Sequence, residues 1–236
     1  MDFTKRHVVV TGGTGALGAA VVGTLLAAGA ICHVPVFRIE EAEKFPHAKH
    51  ANLELVEGVD LTYPGAVDSF YDDLPELWAS IHLAGGFSMA PIESTGTGDF
   101  HAMMSTNALT CYLCCRAAVE KFRDIEQGAR AGRIVNVAAR PALEPRSGSG
   151  MIAYTAAKAA VAAMTQALGE EVAGDGILVN AVAPSILDTP QNRAAMPKAD
   201  FASWPKVEEV AATIMFLASP ANRSTRSAVV PVYGKA

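Results

Sequence analysis

Tyr154 and Lys158 are the residues whose types and spacing first suggest chemistry. Side chains four residues apart lie on the same face of a helix, one turn from each other. The alanine-rich stretch Ala159–Ala173 that follows them favours a helix. A free tyrosine has a pKa of about 10, and a neighbouring ammonium group lowers it. The pair therefore predicts a proton-transfer site on one rigid helix, in which Lys158 lowers the pKa of Tyr154.

Cysteines form a second group of reactive side chains, at Cys111, Cys114 and Cys115. The Cys-x-x-Cys spacing suits a redox or metal site, whereas free cysteines on an apolar helix are also ordinary buried residues. No second pair of cysteines or histidines in the sequence completes a zinc site by its spacing. We therefore expect small buried side chains at these positions and no metal.

A glycine-rich turn near the start of the chain has the spacing Gly13-x-Gly15-x-x-Gly18. It follows a short apolar strand pattern that ends at Val10 and precedes a helix pattern over Ala16–Ala28. A strand, a glycine-rich turn and a helix in this order are the context that the dinucleotide-binding motif requires. The turn is predicted to bind a pyrophosphate, because the backbone approaches closely and the helix N-terminus offers free N–H groups.

The end of the second predicted strand, Ala30–Phe37, bears on the choice of cofactor. An acid that binds the ribose hydroxyls is expected there, about 20 residues after the glycines. Arg38 stands at this place instead, with Glu40 and Glu41 beyond it. Arg38 is available for the 2′-phosphate of NADP(H), or it is a solvated surface side chain. We expect NADP(H) or NAD(H) as cofactor, with NADP(H) slightly favoured.

Strand patterns alternate with helix patterns along the whole sequence. Strands are predicted at 6–10, 30–37, 53–59, 78–83, 133–138, 177–183 and 228–232, with helices at 16–28, 63–74, 99–122, 154–172 and 206–218. This alternation predicts an α/β fold, a single-domain Rossmann fold with a doubly wound parallel sheet of about seven strands. Residues 1–236 form one domain in this prediction, and 184–205 form a long irregular loop that covers the substrate.

Composition narrows the classes of function. The chain has 236 residues, of which 50% are hydrophobic and 18% charged, and its formal net charge is -5. No run of basic residues indicates a nucleic-acid partner. No apolar stretch is long enough for a membrane span, and the N-terminus has no secretory segment, so we expect a cytoplasmic protein. The helices at 103–122 and 154–172 are apolar on more than one face, which favours a homodimer or homotetramer.

Several motifs in the same order together resemble the short-chain dehydrogenase/reductase family over essentially the whole chain. The matching segments are Thr11-Gly12 with Gly15 and Gly18, Asp60-Leu61, Ala84-Gly85, Asn107, Tyr154 with Lys158, Pro184 with Thr189, and the closing strand Val230–Gly234. The resemblance implies hydride transfer between a nicotinamide cofactor and a small-molecule substrate. The cofactor-binding residues that it implies are Gly12, Thr14, Gly15, Ala16, Leu17, Gly18, Arg38, Asp60, Leu61, Ala84, Gly85, Gly86, Tyr154, Lys158, Pro184, Leu187 and Thr189.

The resemblance also implies catalytic roles. Tyr154 donates the proton, and Lys158 binds the nicotinamide ribose and lowers the pKa of the tyrosine. Asn107 holds a water in a proton relay, or its side chain only satisfies neighbouring backbone groups of its helix. Asp60 and Leu61 flank the adenine.

Two departures from the family pattern affect the site. The frequent sequence Asn-Asn-Ala-Gly after the fourth strand is replaced here by a segment that begins with His82. The catalytic serine at the end of the fifth strand is replaced by Ala139. Ser147 and Ser149 in the next loop either replace the missing hydroxyl or are simply turn residues.

Within this family, several segments are similar to the dihydropteridine reductases, which also lack this serine. These segments are Gly12–Gly18, Ala84–Gly86, Gly150–Tyr154, Leu187–Arg193 and Met196–Trp204. The likeness implies a quinonoid dihydropterin substrate, with Ser149 and Trp204 as candidate substrate residues. Trp204 either packs on a flat ring or anchors its loop to the core. The alternatives are a general carbonyl reductase for ketones, aldehydes or 3-oxoacyl groups, and a non-catalytic sensor that binds the cofactor.

Overall fold

Seven parallel strands form the centre of the computed structural model, which describes residues 1–124 and 132–236. The strands are β1 (His7–Thr11), β2 (Ile31–Val36), β3 (Leu53–Glu57), β4 (Ala79–His82), β5 (Gly132–Val137), β6 (Ile177–Pro184) and β7 (Val229–Val232). Their order in the sheet is β3-β2-β1-β4-β5-β6-β7, and every pairing is parallel. The predicted doubly wound parallel sheet is confirmed.

Helices cover both faces of this sheet. They are α1 (Ala16–Ala27), α2 (Ile39–Glu43), α3 (Pro64–Asp72), α4 (Thr97–Met103), α5 (Thr110–Arg123), α6 (Arg140–Leu143), α7 (Ile152–Glu171), α8 (Pro190–Ala195) and α9 (Val207–Ala218). Val8 and Val10 of β1 belong to the core under α1 and α9, whereas Val9 belongs to the core under α3, α5 and α7. A strand that is buried on both faces reads as a continuous apolar run, which is why β1 is Val-Val-Val.

The sequence patterns miss three short helices and one local change of helix type. The helix α2 lies in a segment to which the sequence patterns assign no element, and α6 and α8 lie in segments that they predict as loops. The helix predicted at 99–122 is interrupted by a wider π-helical turn, Met104–Leu109, between α4 and α5. Such turns occur mostly at functional sites.

The site can be located from the strand order alone. The sheet grows from β1 towards β3 in one direction and from β1 through β4 towards β7 in the other. A crevice opens at the carboxyl ends of the strands where this order reverses, and ligands of doubly wound sheets bind there.

None of the helices in the described part of the chain has both the length and the apolar character that crossing a membrane requires.

Candidate active site

The glycine-rich turn packs directly against the end of β4. Gly12 has a φ of +64°, and a Cβ on it would lie 2.7 Å from the backbone nitrogen of Ala84. A Cβ on Gly18 would lie 2.2 Å from the carbonyl oxygen of Gly12. A Cβ on Gly15 would lie 3.4 Å from that oxygen, which is an ordinary contact. Gly12 and Gly18 are therefore required for the close packing of the turn, whereas Gly15 faces open space at the start of α1.

A cleft of about 610 Å³ opens beside this turn. It is lined by Gly12, Thr14, Gly15, Arg38, Glu40, Glu41, Lys44, Phe45, Leu83, Ala84 and Gly85. Its volume lies within the usual range of pockets for small ligands and cofactors. Six of the cofactor-binding residues implied by the sequence line this cleft, namely Gly12, Thr14, Gly15, Arg38, Ala84 and Gly85.

Charged side chains of both signs stand at one end of the cleft. Arg38 and Lys44 are exposed and positive, whereas Glu40 and Glu41 are negative. The hydroxyl of Thr14 donates a hydrogen bond to Glu41 Oε2 at 3.1 Å, which holds this carboxylate against the glycine turn. Lys44 was missed in the sequence because the short helix α2, which ends beside it, was missed too.

The other implied cofactor residues lie outside the cleft lining. Ala16, Leu17 and Gly18 begin α1, and Gly86, Pro184, Leu187 and Thr189 follow or end β4 and β6. The carboxylate of Asp60 accepts hydrogen bonds from the backbone nitrogen and the hydroxyl of Thr62, at 2.9 and 2.7 Å. Asp60 therefore fixes the turn after β3, and Leu61 packs against the core beside it.

Lys158 of α7 reaches the end of β5. Its side chain is buried, and its Nζ donates a hydrogen bond to the carbonyl oxygen of Val137 at 2.8 Å. Nζ lies 5.9 Å from the centre of the Tyr154 ring. A Cβ on Gly85 would lie 3.4 Å from this Nζ and 2.6 Å from Oδ1 of Asn107. The structure thus brings Tyr154, Lys158 and Asn107 together beside Gly85, at the edge of the cleft.

Burial controls the acidities of this pair. It raises the pKa of Tyr154 to about 12. It lowers the pKa of Lys158 to about 8, since the charged ammonium loses its hydration. The sequence predicted that Lys158 lowers the pKa of Tyr154, and the structure gives the opposite direction. The reason is that the phenolate is desolvated, while the lysine directs its hydrogen bond to Val137.

Asn107 sits in the π-helical turn with its side chain fully occupied. Its Oδ1 accepts a hydrogen bond from the backbone nitrogen of Gly86 at 3.2 Å. Its Nδ2 donates to the carbonyl oxygens of Gly86 and Met103 at 3.1 and 3.0 Å. These bonds tie the helix to the segment after β4. They match the interpretation of Asn107 as a residue that satisfies backbone groups, and the water relay stays a prediction.

Ala139 stands where the family's catalytic serine is expected. It lies two residues after the end of β5, directly precedes α6, and is 5% exposed. Ser147 donates its hydroxyl to the carbonyl oxygen of Glu144 at 2.8 Å, as a turn residue does. Ser149 is exposed on the loop before α7. Of the two serines, only Ser149 keeps a hydroxyl that is not engaged in its own turn.

Trp204 does not face the cleft. Its side chain is 7% exposed and packs against Phe201, with ring centres 5.1 Å apart. This burial favours the interpretation in which the tryptophan anchors its loop to the core, and the role of Trp204 as a substrate residue stays a prediction.

The segment 184–205 is more regular than the sequence suggested. Thr189 caps α8, because its hydroxyl accepts a hydrogen bond from the backbone nitrogen of Asn192 at 3.2 Å. Asn192 Nδ2 donates to the carbonyl oxygen of Leu187, and Arg193 pairs with Asp188 at 2.6 Å. The backbone nitrogen of Asp188 also donates to the carbonyl oxygen of Pro205. These contacts close the segment on itself into a folded flap beside β6.

An apolar rim near Tyr154 was not predicted. The Phe87 ring meets the Tyr154 ring edge to face, with centres 5.0 Å apart, and is itself 62% exposed. Met89 is 64% exposed, and Ala90 next to it donates a backbone hydrogen bond to Gly150. Exposed large apolar side chains next to a candidate catalytic residue favour an apolar or flat ligand. A loop without periodicity gives no pattern from which sequence reasoning could have found this rim.

Comparisons with known proteins agree with this geometry. A sequence model of the short chain dehydrogenase family matches residues 6–200. Galactitol 2-dehydrogenase of Rhizobium johnstonii is 30% identical over 243 residues, which cover 96% of this chain and 93% of that protein. A 3-oxoacyl-(acyl-carrier-protein) reductase of Chlamydia pneumoniae is 29% identical and covers 93% of this chain and 92% of its own length. The solved structure of ElxO with NADP bound has a TM-score of 0.86, 25% identity and 98% coverage of both chains.

Proposed function

Because the chain belongs to the short chain dehydrogenase family, we propose that it is an NADP(H)-dependent oxidoreductase that reduces a small organic substrate, with Tyr154 as the proton donor. One observation carries this proposal. Tyr154, Lys158, Asn107 and Gly85 meet at the edge of a cleft that is lined by the glycine turn. A sensor without catalysis would not need this meeting of a tyrosine with a buried lysine.

The cofactor half of the cleft fits a dinucleotide with a 2′-phosphate. Bound NADP(H) supplies the hydride. The backbone at Gly15 and the N-terminus of α1 would bind the pyrophosphate, since free N–H groups and the positive end of the helix dipole point there. Arg38 and Lys44 would pair with the 2′-phosphate, because both cations line the cleft at the end of β2. ElxO, whose solved structure contains NADP, supports this assignment.

The chain's own residues would control the proton. Tyr154 would give its phenolic proton to the reduced substrate as a general acid. Lys158, which Val137 holds within the same site, would bind the nicotinamide ribose. The folded flap at 184–205 and the Phe87 rim would exclude water from the reacting groups.

Ala139 bears on the kind of substrate. The loss of one donor to a developing oxyanion typically costs about 10²–10³ in rate. A substrate in which the charge spreads over a conjugated ring depends less on such a donor. We therefore propose a conjugated or cyclic substrate, of which quinonoid dihydropterin is the model compound. The exposed Phe87 next to Tyr154 supports a flat ligand.

A general carbonyl reductase is the second candidate. The relatives named above are dehydrogenases and reductases of other substrates than pterins, and this favours the interconversion of carbonyl and hydroxyl groups. Ser149 supports this candidate, because its hydroxyl is exposed on the loop before α7. The two candidates differ in their need for a hydroxyl donor. A carbonyl reductase would use the hydroxyl of Ser149, whereas a conjugated substrate depends less on such a donor.

The experiment compares wild type with Ala139→Ser and Ser149→Ala, using quinonoid dihydropterin and a panel of ketones with NADPH and NADH. For a conjugated substrate, Ala139→Ser raises the turnover of ketones at least tenfold and changes pterin turnover little. Ser149→Ala then changes neither. Efficient ketone reduction by the wild type that is lost in Ser149→Ala would establish the second candidate instead.

We also propose that the protein is a homo-oligomer. Phe100 of α4, Leu109 of the π-helical turn and Tyr112 of α5 are 40%, 38% and 51% exposed. These exposed large apolar side chains lie on consecutive helical elements, and exposed apolar surface of this kind favours contact with a second copy. Light scattering at micromolar concentration measures the mass, and a monomer would contradict the proposal.

A further inference from the structure

Three soft metal ligands meet in the core beneath the cleft. They are His82, at the end of β4, and Cys111 and Cys115, one helical turn apart on α5. Their ligand atoms all lie within 4.8 Å of one another, and all three residues are buried. Among the described residues this is the group of histidine, cysteine and acidic side chains with the geometry of a metal site.

The two distances from Cys115 inside this cluster match those of a tetrahedral zinc site. Zinc binds sulfur at about 2.3 Å and nitrogen at about 2.0–2.1 Å, so a tetrahedral ion separates these two ligand atoms by about 3.6 Å. Cys115 Sγ lies 3.6 Å from His82 Nδ1. Cys115 Sγ also lies 3.5 Å from Oδ1 of Asn136, which is close to the separation expected for a sulfur and an oxygen ligand. The side-chain oxygen of Asn136 is therefore placed near a fourth ligand position.

The side chains behind these ligands are arranged as they are around metal-binding histidines. His82 Nε2 lies 2.8 Å from the hydroxyl of Ser80, and this hydroxyl lies 2.7 Å from the hydroxyl of Tyr71. Asn136 Nδ2 donates to the hydroxyl of Thr165 at 2.9 Å. Partners of this kind fix the ring orientation and the tautomer of a histidine ligand.

We propose that His82, Cys111, Cys115 and Asn136 form a structural site for one Zn²⁺ ion. On binding, the two thiols release their protons and four metal–ligand bonds form. The proton of His82 moves from Nδ1 to Nε2, which then donates to Ser80, while the contact of Nδ1 with Asn136 opens from 2.8 Å. Two thiolates neutralise the ion, which a buried site requires.

The position of the site explains what the ion would do. His82 directly precedes Leu83, Ala84 and Gly85, which line the cleft. Asn136 directly precedes Val137, whose carbonyl oxygen accepts the hydrogen bond of Lys158. A zinc ion would therefore tie β4, β5 and α5 together under the cofactor half of the cleft. Four protein ligands would leave the zinc ion no free coordination position for a substrate, so the ion would take no part in the hydride transfer.

Sequence spacing could not reveal this site. The two cysteines stand one turn apart on a helix, but the histidine comes from a strand 29 residues earlier in the chain. Cys114 provides a matched control, because it is buried on the same helix and belongs to the core without being part of the cluster.

The test measures zinc in the purified full-length protein by plasma mass spectrometry, after incubation with Zn²⁺ and removal of the excess. The variants are His82→Asn, Cys115→Ser and the control Cys114→Ser. We expect about one zinc per chain in wild type and Cys114→Ser, and at least tenfold less in the two cluster variants. His82→Asn introduces the residue that the family pattern has at this place, so it is expected to fold.

Substitution with Co²⁺ gives a second readout on the wild type alone. Cobalt bound by two thiolates shows intense sulfur-to-metal charge-transfer absorption and the visible bands of a tetrahedral ion. Absence of these bands in the folded wild type, or zinc that remains at full occupancy in Cys115→Ser, would overturn the proposal. Copper in place of zinc would overturn the identity of the metal.

Discussion

The two halves of the candidate site, the cofactor cleft and the proposed substrate region beside Tyr154, are built in different ways. The cofactor half depends on close backbone packing, because a side chain on Gly12 would clash with the end of β4 and one on Gly18 would clash with the glycine turn itself. The substrate half consists of side chains, such as Phe87 and Ala139, on the segments that follow β4 and β5. Backbone packing tolerates few residue types, whereas a loop side chain changes without loss of the fold. The cofactor half therefore defines the class of enzyme, and the substrate half defines what it acts on.

The largest expected effect concerns the residue that joins the two halves. Tyr154→Phe removes the transferable proton and keeps the ring that packs against Phe87. General acid catalysis is typically worth about 10²–10⁴ in rate, so kcat should fall by that factor. NADPH affinity, measured by fluorescence titration, should stay within about twofold of wild type. A variant that keeps more than about a tenth of the wild-type kcat would show that Tyr154 is not the general acid.

The next prediction tests whether the cofactor half depends on backbone packing. Gly18→Ala places a Cβ 2.2 Å from the carbonyl oxygen of Gly12, so the turn or helix α1 must move. We expect a loss of about 3 kcal/mol in the free energy of unfolding without cofactor. Gly15→Ala is the matched control, because its Cβ meets only an ordinary contact at 3.4 Å. Equal losses for both variants in urea unfolding would contradict the packing argument.

A third prediction concerns the pH dependence of stability at Lys158. Its pKa of about 8 in the folded protein lies below the ordinary value of 10.5. Between these two pH values the unfolded chain binds more protons than the folded protein, so the free energy of unfolding rises with pH. Below pH 8 the buried lysine is charged in the folded protein, and the full free-energy cost of its desolvation is present. Lys158→Met removes this dependence. The stability of wild type relative to the variant should rise by about 2 kcal/mol from pH 7.5 to pH 10.

Urea unfolding at the two pH values measures this difference. Lys198→Met serves as the control, since its side chain is exposed and its stability relative to wild type should stay constant. The raised pKa of Tyr154 makes stability fall as pH rises, because the folded state then binds more protons than the unfolded chain. This effect begins only above about pH 10, outside the range that is measured. A constant difference between wild type and Lys158→Met would mean that the lysine is not desolvated.

The sheet could be predicted because its strands are long apolar runs in regular alternation with helices. The short helices α2, α6 and α8 could not, since four to six residues are too few for a periodic pattern. The π-helical turn at Met104–Leu109 also has no sequence signal, and it depends on the bonds of Asn107 to Gly86. Sequence patterns thus predict long strands and helices, and they miss short elements whose conformation depends on contacts with distant parts of the chain.

The candidate site divides in the same way. The glycine turn, Tyr154 and Lys158 could be placed from sequence because their spacing is local. The burial of Trp204 could not, and neither could the direction of the pKa shift of Tyr154, because both depend on how distant segments pack. The contact of His82 with two cysteines of α5 could not be predicted either, for the same reason.

The smallest expected effect concerns selection between the two cofactors, at the one place where the cofactor half uses side chains. Arg38→Ala should weaken NADPH binding about tenfold, because a charged hydrogen bond to phosphate is lost. NADH has only a hydroxyl at this position, so its affinity should change by less than about twofold. Lys44→Ala should act in the same direction, since Lys44 lines the same end of the cleft. Lys49→Ala, an exposed lysine outside the cleft lining, is the control. Fluorescence titration of each variant with both cofactors separates the outcomes. Equal losses for NADPH and NADH would show that Arg38 contributes only a surface charge and does not select between the two cofactors.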